Sequence, residues 1–259
     1  MGVATFIWFN ILGNKRDVSH RSNPSGVGLK KDLMQNSYLG PEYSNEEVKE
    51  FLDEKEIVYE EFEREEILKR TAEVIADKRV VGWFQGRMEW GPRALGNRSI
   101  LADPRDKEMQ DIVNLKIKFR ESFRPFAPTV LVDKASEYFE LECQSPYMLL
   151  VTPVREDKRV IPAVTHVDGS ARVQTISRED NPLYYDLIEE FYKLTGVPVV
   201  INTSFNVRGE PIVCTPEDAY RCFMRTKMDN LVMGDFMMRK EEQKSFVENK
   251  DWQKEFRLD

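Results

Sequence analysis

The 259-residue sequence predicts an α/β fold with a mixed sheet. Short runs rich in β-branched residues alternate along the chain with amphipathic segments of helical period, which is the pattern of strands followed by helices. Two of the predicted strands, 79–84 and 199–201, run directly into polar loops rich in glycine, arginine and asparagine. Open α/β sheets bind ligands at such transitions, so these two loops are the first candidates for a site.

The other elements follow from local signals in chain order. A capping box at Ser44 and a Thr-Pro pair at Thr215 each predict a helix start. Further helices are predicted at 65–77, 106–117 and 182–194, and strands at 129–132, 148–154, 172–176, 231–233 and 236–238. An apolar run at 3–12 is interpreted as a strand or a packed segment. We divide the chain into an N-terminal interface or linker segment (1–37), a central domain (38–240) and a C-terminal surface helix (241–259).

The charge of the chain is unevenly distributed. The formal net charge is −7, which argues against a general nucleic-acid binder. Residues 44–77 carry thirteen acidic against five basic residues, whereas residues 85–124 carry nine basic residues, six of them arginine, against six acidic ones. A locally basic, arginine-rich region in an acidic protein favours a small anionic ligand over a polyanion.

Cysteine and histidine content narrows the chemistry. The three cysteines are widely spaced and odd in number, which indicates reduced thiols in a cytoplasmic protein. With two histidines in the chain, a histidine-based metal site is disfavoured, and we assign no metal-binding residues. The apolar run at 3–12 is too short to span a bilayer, so no membrane association is expected.

The stretch from Gly82 to Ser99 (GWFQGRMEWGPRALGNRS) contains the most informative loop of the sequence, and we call it the central loop. Glycines let the backbone approach a ligand, and arginine guanidinium groups match the paired oxygens of phosphate or carboxylate, so the loop is expected to hold an anion. It is not a P-loop, because Asn97 stands where that motif has lysine. Alternatively, the glycines only form turns and the arginines pair with Glu89, Asp103 and Asp106.

A second basic element follows the predicted helix 106–117. In an extended Lys118-Phe119-Arg120, alternate residues share one face, so both charges would enter one cleft. Alternatively, Phe119, Phe123 and Phe126 belong to the core and the charged groups only reach out to solvent.

With these motifs in place, the chain resembles the C-terminal domain of the NodU/TobZ-type O-carbamoyltransferases over about residues 38–240. The matching runs are YLGP (38–41), GWFQGRMEWGPRALGNRSILADPR (82–105), RESFRPFAP (120–128), THVDGSARVQT (165–175) and NTSFNVRGEPIVCTP (202–216). The resemblance implies a YrdC-like twisted mixed sheet flanked by helices. It also implies that carbamoyl phosphate and ATP, the latter with Mg²⁺, react to give carbamoyl adenylate.

In that family an N-terminal Kae1-like domain transfers the carbamoyl group to a hydroxyl of a small acceptor. No segment of this chain matches that domain, so we expect the chain to be one half of the enzyme. The partner expected at the apolar run 3–12 is a Kae1-like domain or subunit, or a second copy of the chain. By resemblance, Lys118-Phe119-Arg120 and Ser204-Phe205-Asn206 correspond to the Lys-x-Arg and Ser-x-Asn elements of YrdC-like proteins.

The predicted site joins these motifs in one cleft between the loops 85–99 and 202–210. Three arginines are expected to stabilise charge during the reaction: Arg87, Arg120 and Arg172. Eight residues are expected to bind the ligands: Gln85, Gly86, Arg93, Lys118, Asn202, Ser204, Asn206 and Arg208. Two other functions stay open, a non-catalytic nucleotide or phosphate-binding module and an RNA-binding YrdC-like module, the latter disfavoured by the net charge.

Overall fold

The structure is a computed structural model in which Ile7, residues 11–13 and residues 37–244 are described. The chain divides into two compact units, Met1–Asn36 and Ser37–Asp259. In the first unit the backbone N–H of Leu12 donates to the carbonyl of Ile7 at 2.9 Å. The predicted segment 3–12 and the predicted tail helix 241–259 lie mostly outside the described residues.

In residues 37–244 of the second unit, a helix is found at each position where one was predicted within the central domain. Among the described residues these are α1 (Asn45–Glu54), α2 (Arg64–Ala76), α3 (Met109–Val113), α4 (Ala135–Tyr138), α5 (Pro182–Thr195) and α6 (Pro216–Arg225). The capping box predicted at Ser44 and the helix start predicted at Thr215 are both formed, with the hydroxyl of each residue accepting the N–H three residues later. A 3₁₀ turn at Lys240–Glu242 follows the last strand.

The strands form one mixed sheet of nine strands in the described part of the chain. They are β1 (Glu60–Glu61), β2 (Val81–Phe84), β3 (Arg98–Ala102), β4 (Ala127–Leu131), β5 (Leu150–Pro153), β6 (Ser170–Ile176), β7 (Val199–Ser204), β8 (Asn230–Met233) and β9 (Phe236–Arg239). Their order is β1-β9-β8-β2-β3-β7-β4-β6-β5, with β2–β8 and β4–β6 parallel and the other pairs antiparallel. The predicted fold class, a twisted mixed sheet flanked by helices, is confirmed.

Helices cover both faces of this sheet because successive strand residues point to opposite sides. On β2, Val81 and Trp83 pack with the apolar residues of α2 and α5. On β3, Ile100 and Ala102 pack on the other side, with the apolar residues of α1, α3 and α6. The sheet therefore has a buried core on each face, and ligands can reach it only at its edges and strand ends.

Two sequence predictions about the segment before the site were wrong. The predicted helix 106–117 is α-helical only over α3 and continues as a π-helical turn at Asn114–Lys118. Arg98 and Ser99 were assigned to the loop, although they begin strand β3, whose five residues are all buried between β2 and β7. Its polar start at Arg98 and Ser99 hid the strand, since polar residues of this kind are typical of loops.

None of the helices in the described part of the chain combines the length and apolar character needed to cross a membrane.

Candidate active site

A polar cavity of about 130 Å³ lies where β7 ends and β4 begins. The two strands are antiparallel, with Asn202 opposite Ala127, and β6 runs parallel to β4, which places Arg172 level with Ala127. The cavity therefore forms at the ends of neighbouring strands inside the sheet, from residues distant in sequence. Its lining residues are Pro92, Arg93, Ala94, Arg120, Pro125, Phe126, Ala127, Met148, Arg172, Asn202, Thr203 and Ser204.

Three arginines line this cavity without a carboxylate partner. Among the described residues, Arg93, Arg120 and Arg172 make no ion pair, and no Asp or Glu lines the cavity. Burial, followed by the nearby charge of Arg93, lowers the pKa of Arg172. Burial also lowers the pKa of Arg120 to about 10, with Arg124 and Arg172 contributing in the same direction. A concentration of positive charge of this kind favours an anionic ligand that would supply the missing negative charge.

The position of Arg120 is fixed from behind by Asn114. The guanidinium Nε of Arg120 donates to Asn114 Oδ1 at 2.7 Å, and its Cζ lies 5.0 Å from the ring centroid of Phe126. Asn114 Nδ2 in turn donates to the carbonyls of Ser122 at 3.0 Å and Arg124 at 2.9 Å. One buried amide thus holds both Arg120 and the loop that follows it.

The expected extended geometry of Lys118-Phe119-Arg120 was wrong. Lys118 ends the π-helical turn and Phe119 is left-handed, with φ of 49°. The turn sends the two charges in different directions, so that Arg120 lines the cavity whereas Lys118 is buried behind it, 3% exposed.

Lys118 joins the two polar residues of the Ser-x-Asn element. Its Nζ lies within hydrogen-bonding distance of both oxygens of Asn206 (2.7 Å to Oδ1, 2.9 Å to the carbonyl) and of Ser204 Oγ (3.2 Å), and it also donates to the Ser204 carbonyl. The Ser204 hydroxyl donates to Asn206 Oδ1 at 2.7 Å. Burial lowers the pKa of Lys118 to about 7. Lys118 therefore positions Ser204, which lines the cavity, and Asn206, which does not.

The two halves of the central loop lie in different places. Residues 92–94 reach the cavity, whereas Gln85 and Gly86 line a second cavity of about 430 Å³ near the start of α1. Exposed Arg87 donates to the Gly40 carbonyl at 3.0 Å and pairs with Glu42 at 3.0 Å. A cleft was expected between the loops 85–99 and 202–210. Of the first loop, only residues 92–94 line the arginine-lined cavity. A ligand role for Gln85, Gly86 and Arg87 stays a prediction.

Arg208 also lies outside the set of cavity-lining residues. Its Nη1 is 3.5 Å from Glu121 Oε1, and its backbone N–H donates to the carbonyl of Lys118 at 3.3 Å. Its contribution to ligand binding stays a prediction as well.

Sequence reasoning missed the two residues that shape the central loop. Glu89 Oε1 accepts the backbone N–H groups of Leu95 (2.7 Å), Asn97 (2.7 Å) and Arg98 (3.2 Å). Arg98 is completely buried, stacks 3.6 Å above the ring of Phe84 and donates to four backbone carbonyls, those of Pro41, Gln85, Gly86 and Asn97. The alternative that the arginines of this loop pair with Glu89, Asp103 and Asp106 is not what the structure shows, since Arg87 pairs with Glu42 and Asp103 pairs with Arg105, which follows the loop.

Gly96 gives a test of this loop geometry. Its φ is +113°, and an added Cβ would lie 2.2 Å from Cδ1 of Tyr184, whereas Gly91 has φ of +133° and open space around it. Gly91→Ala adds backbone strain alone, about 1–3 kcal/mol. Gly96→Ala adds a steric clash as well, so we expect it to lower the free energy of unfolding by about 1–3 kcal/mol more than Gly91→Ala in urea titrations. Equal losses would contradict the close packing of Gly96 on Tyr184.

The comparisons with known proteins identify the family. A family model described as "Carbamoyltransferase C-terminus" matches residues 72–240. The chain belongs to the carbamoyltransferase C-terminal family. The similarity to NodU-type proteins inferred from the motifs is confirmed by nodulation protein NolNO of Sinorhizobium fredii, which is 46% identical over 85% of this chain and 33% of its own length.

Two further relatives of this carbamoyltransferase C-terminal chain show the range of the family. An uncharacterized protein of Synechocystis sp. is 49% identical over 100% of this chain and 44% of its own length. A 3'-hydroxymethylcephem-O-carbamoyltransferase of Amycolatopsis lactamdurans is 43% identical over 62% of this chain and 31% of its own length. The chain thus spans less than half the length of these relatives.

Among solved structures, the fold aligns with full-length HypF in a phosphate- and nucleotide-bound form at a TM-score of 0.47, with 18% identity over 65% of this chain and 25% of HypF. It also aligns with P. abyssi Sua5 complexed with L-threonine at a TM-score of 0.46, with 17% identity over 68% of this chain and 48% of Sua5.

Proposed function

We propose that this chain binds carbamoyl phosphate and ATP at the arginine-lined cavity and forms carbamoyl adenylate, as one half of an O-carbamoyltransferase. The observation that carries the proposal is the set of three cavity arginines, Arg93, Arg120 and Arg172, which have no carboxylate partner among the described residues. Both substrates bring several negative charges to one place, and fixed arginine side chains can neutralise them. Membership of the carbamoyltransferase family supports the choice of carbamoyl phosphate.

The proposed reaction balances in two steps. Water displaces phosphate from carbamoyl phosphate and leaves carbamate. An oxygen of the carbamate then bonds to the α-phosphorus of ATP, the bond from that phosphorus to the bridging oxygen breaks, and pyrophosphate leaves. Fixed cations favour this step because negative charge accumulates on the phosphoryl oxygens as the bonds exchange.

The residues of the cavity have separate parts in this proposal. Arg120 and Arg172 hold phosphoryl oxygens, and Arg93 closes the exposed side of the cavity. Ser204, positioned by Lys118, offers a hydroxyl to the same ligands. Mg²⁺, when bound, would neutralise charge on ATP. Since no carboxylate lines the cavity, Mg²⁺ would be held by phosphate oxygens and water rather than by the protein.

Transfer of the carbamoyl group to an acceptor is assigned to another domain. The relatives are more than twice as long as the segment they share with this chain, which supports a partner domain or subunit of the Kae1-like kind. The acceptor would be a hydroxyl-bearing small molecule, and its identity depends on that partner.

Isotope exchange tests the proposed half-reaction directly. The chain is incubated with ATP, Mg²⁺ and labelled pyrophosphate, with and without carbamoyl phosphate. We expect label to enter ATP only when carbamoyl phosphate is present, since pyrophosphate release is reversible only once carbamate is bound. Ligand binding by calorimetry without any exchange would instead favour a non-catalytic binding module.

A further inference from the structure

The side-chain amide of Asn202 leaves one atom without a partner at the cavity. Asn202 lines the cavity and is 1% exposed. Its Nδ2 donates to the Ala94 carbonyl at 3.2 Å and to Gln174 Oε1 at 2.7 Å. Its Oδ1 is buried and has no hydrogen-bond partner among the described residues. Buried side-chain oxygens are nearly always paired, so this one indicates a missing donor.

Neighbouring groups fix which way the amide of Asn202 points. The Leu95 carbonyl can only accept, so it binds Nε2 of Gln174, at 3.0 Å. Gln174 Oε1 therefore faces the other side, where it accepts from the hydroxyl of Thr129 at 2.7 Å and from Asn202 Nδ2. The Ala94 carbonyl is a second acceptor that requires Nδ2. Rotating the amide would put oxygen against two oxygens, so Oδ1 stays the atom left for a ligand.

Among the uncharged polar residues that line the cavity, Asn202 is the one whose unpaired side-chain atom can only accept a hydrogen bond. The other uncharged polar side chains of the cavity are Thr203 and Ser204, whose hydroxyls can donate or accept. Ser204 Oγ is already used, since it accepts from Lys118 and donates to Asn206. Around them the arginines offer donors alone. A ligand that fills this cavity should therefore carry acceptors over most of its surface and one donor group opposite Asn202.

We propose that Asn202 Oδ1 accepts a hydrogen bond from the –NH₂ group of carbamoyl phosphate and thereby selects this ligand over other acyl phosphates. The inference rests on the proposed function and adds the atom that determines specificity. Acetyl phosphate has the same shape but a methyl group in place of –NH₂, so it would leave Oδ1 unpaired. A carboxylate oxygen at this position would be repelled by it. The exocyclic amine of ATP is a second donor with the same chemistry, which the experiment has to distinguish.

The test compares two ligands on the 259-residue chain. Carbamoyl phosphate and acetyl phosphate are titrated into wild-type protein by calorimetry, and we expect carbamoyl phosphate to bind at least about tenfold more tightly, since a buried acceptor left unpaired penalises the wrong ligand. In Asn202→Leu the preference should fall to about onefold through loss of carbamoyl phosphate affinity alone. Gln174→Leu removes one of the two acceptors that hold the Asn202 amide and should reduce the preference in part. Gln144→Leu, which removes an exposed side-chain amide outside the set of cavity-lining residues, should keep it.

The outcomes separate this inference from the proposed function. Equal binding of the two ligands by wild-type protein, or an unchanged preference in Asn202→Leu, would overturn the role of Asn202 and leave the proposed function standing. Asn202→Leu could instead bind ATP more weakly and keep the preference for carbamoyl phosphate. That result would assign Oδ1 to the adenine amine and would also overturn the selection of carbamoyl phosphate by Asn202. If wild-type protein binds neither acyl phosphate, the proposed function itself is wrong. If circular dichroism shows that Asn202→Leu does not fold, the comparison of the two ligands on wild-type protein still tests whether the site selects carbamoyl phosphate.

Discussion

Replacing Lys118 by methionine is expected to lower the free energy of unfolding by about 1–3 kcal/mol, the range for leaving buried acceptors without their donor. Methionine keeps the length of the side chain but cannot donate, so the buried oxygens of Ser204 and Asn206 lose their shared donor. Ser204 would then no longer be held at the cavity. We expect carbamoyl phosphate-dependent pyrophosphate exchange to fall about a hundredfold, as misplaced reacting groups generally cause.

Lys116→Met is the matched control for this variant. Lys116 lies in the same π-helical turn, two residues earlier, and is exposed. The control should change the free energy of unfolding by less than about 0.5 kcal/mol and leave exchange unaffected. Similar losses in both variants would mean that the turn tolerates no substitution and that Lys118 has no special role.

The stability contributed by Lys118 should also depend on pH with a definite sign. Burial holds the pKa of Lys118 at about 7 in the folded chain, against an ordinary value of 10.5. Between these two values the unfolded chain binds more protons than the folded chain, so the contribution of Lys118 to stability rises with pH across this window. In urea titrations between about pH 6 and pH 9, wild-type protein should gain stability relative to Lys118→Met. A constant or shrinking difference would contradict the low pKa.

Arg172→Ala is expected to weaken binding of carbamoyl phosphate by about 2–4 kcal/mol, which corresponds to a loss of roughly 30-fold to 1000-fold. Arg172 is half-buried at the cavity, where water screens its charge poorly and where its pKa is lowered by burial. The measurement is a calorimetric titration at fixed pH and salt.

Arg87→Ala provides the comparison, because the sequence alone assigned both arginines the same part. Arg87 is half-exposed and paired with Glu42 at 3.0 Å, and exposed ion pairs contribute about 0–1 kcal/mol. We therefore expect less than about a fivefold change in affinity. An effect of Arg87→Ala as large as that of Arg172→Ala would place the ligand nearer the first half of the central loop.

The sequence predicted the fold well because its strands and helices carry strong local signals. The helix over 182–194, for example, has a proline near its start and a glycine at its end, and α5 runs over Pro182–Thr195 with Gly196 left-handed. Strand β7 is apolar up to Ile201 and polar after it, which marked the loop at the site. These signals depend on a few neighbouring residues and need no knowledge of tertiary contacts.

The site was predicted less completely because its geometry depends on long-range contacts. Glu89 and Arg98 are residue types that usually lie at the surface, yet both are buried and bind backbone groups of the central loop. Nothing in local sequence separates Arg98 from Arg87, which is exposed. The left-handed turn at Phe119 is equally hidden, since aromatic residues seldom adopt positive φ. The sequence thus predicted candidate residues for the site, but it could not predict which of these residues line the same cavity.

The most direct test of ligand binding at the arginine-lined cavity is a crystal structure of this chain from crystals grown with carbamoyl phosphate and a non-hydrolysable ATP analogue. In this structure we expect phosphoryl oxygens within hydrogen-bonding distance of Arg120 and Arg172, with the carbamoyl –NH₂ opposite Asn202 Oδ1. Both ligands bound instead in the cavity of Gln85 and Gly86, with the arginine-lined cavity holding only water, would contradict it.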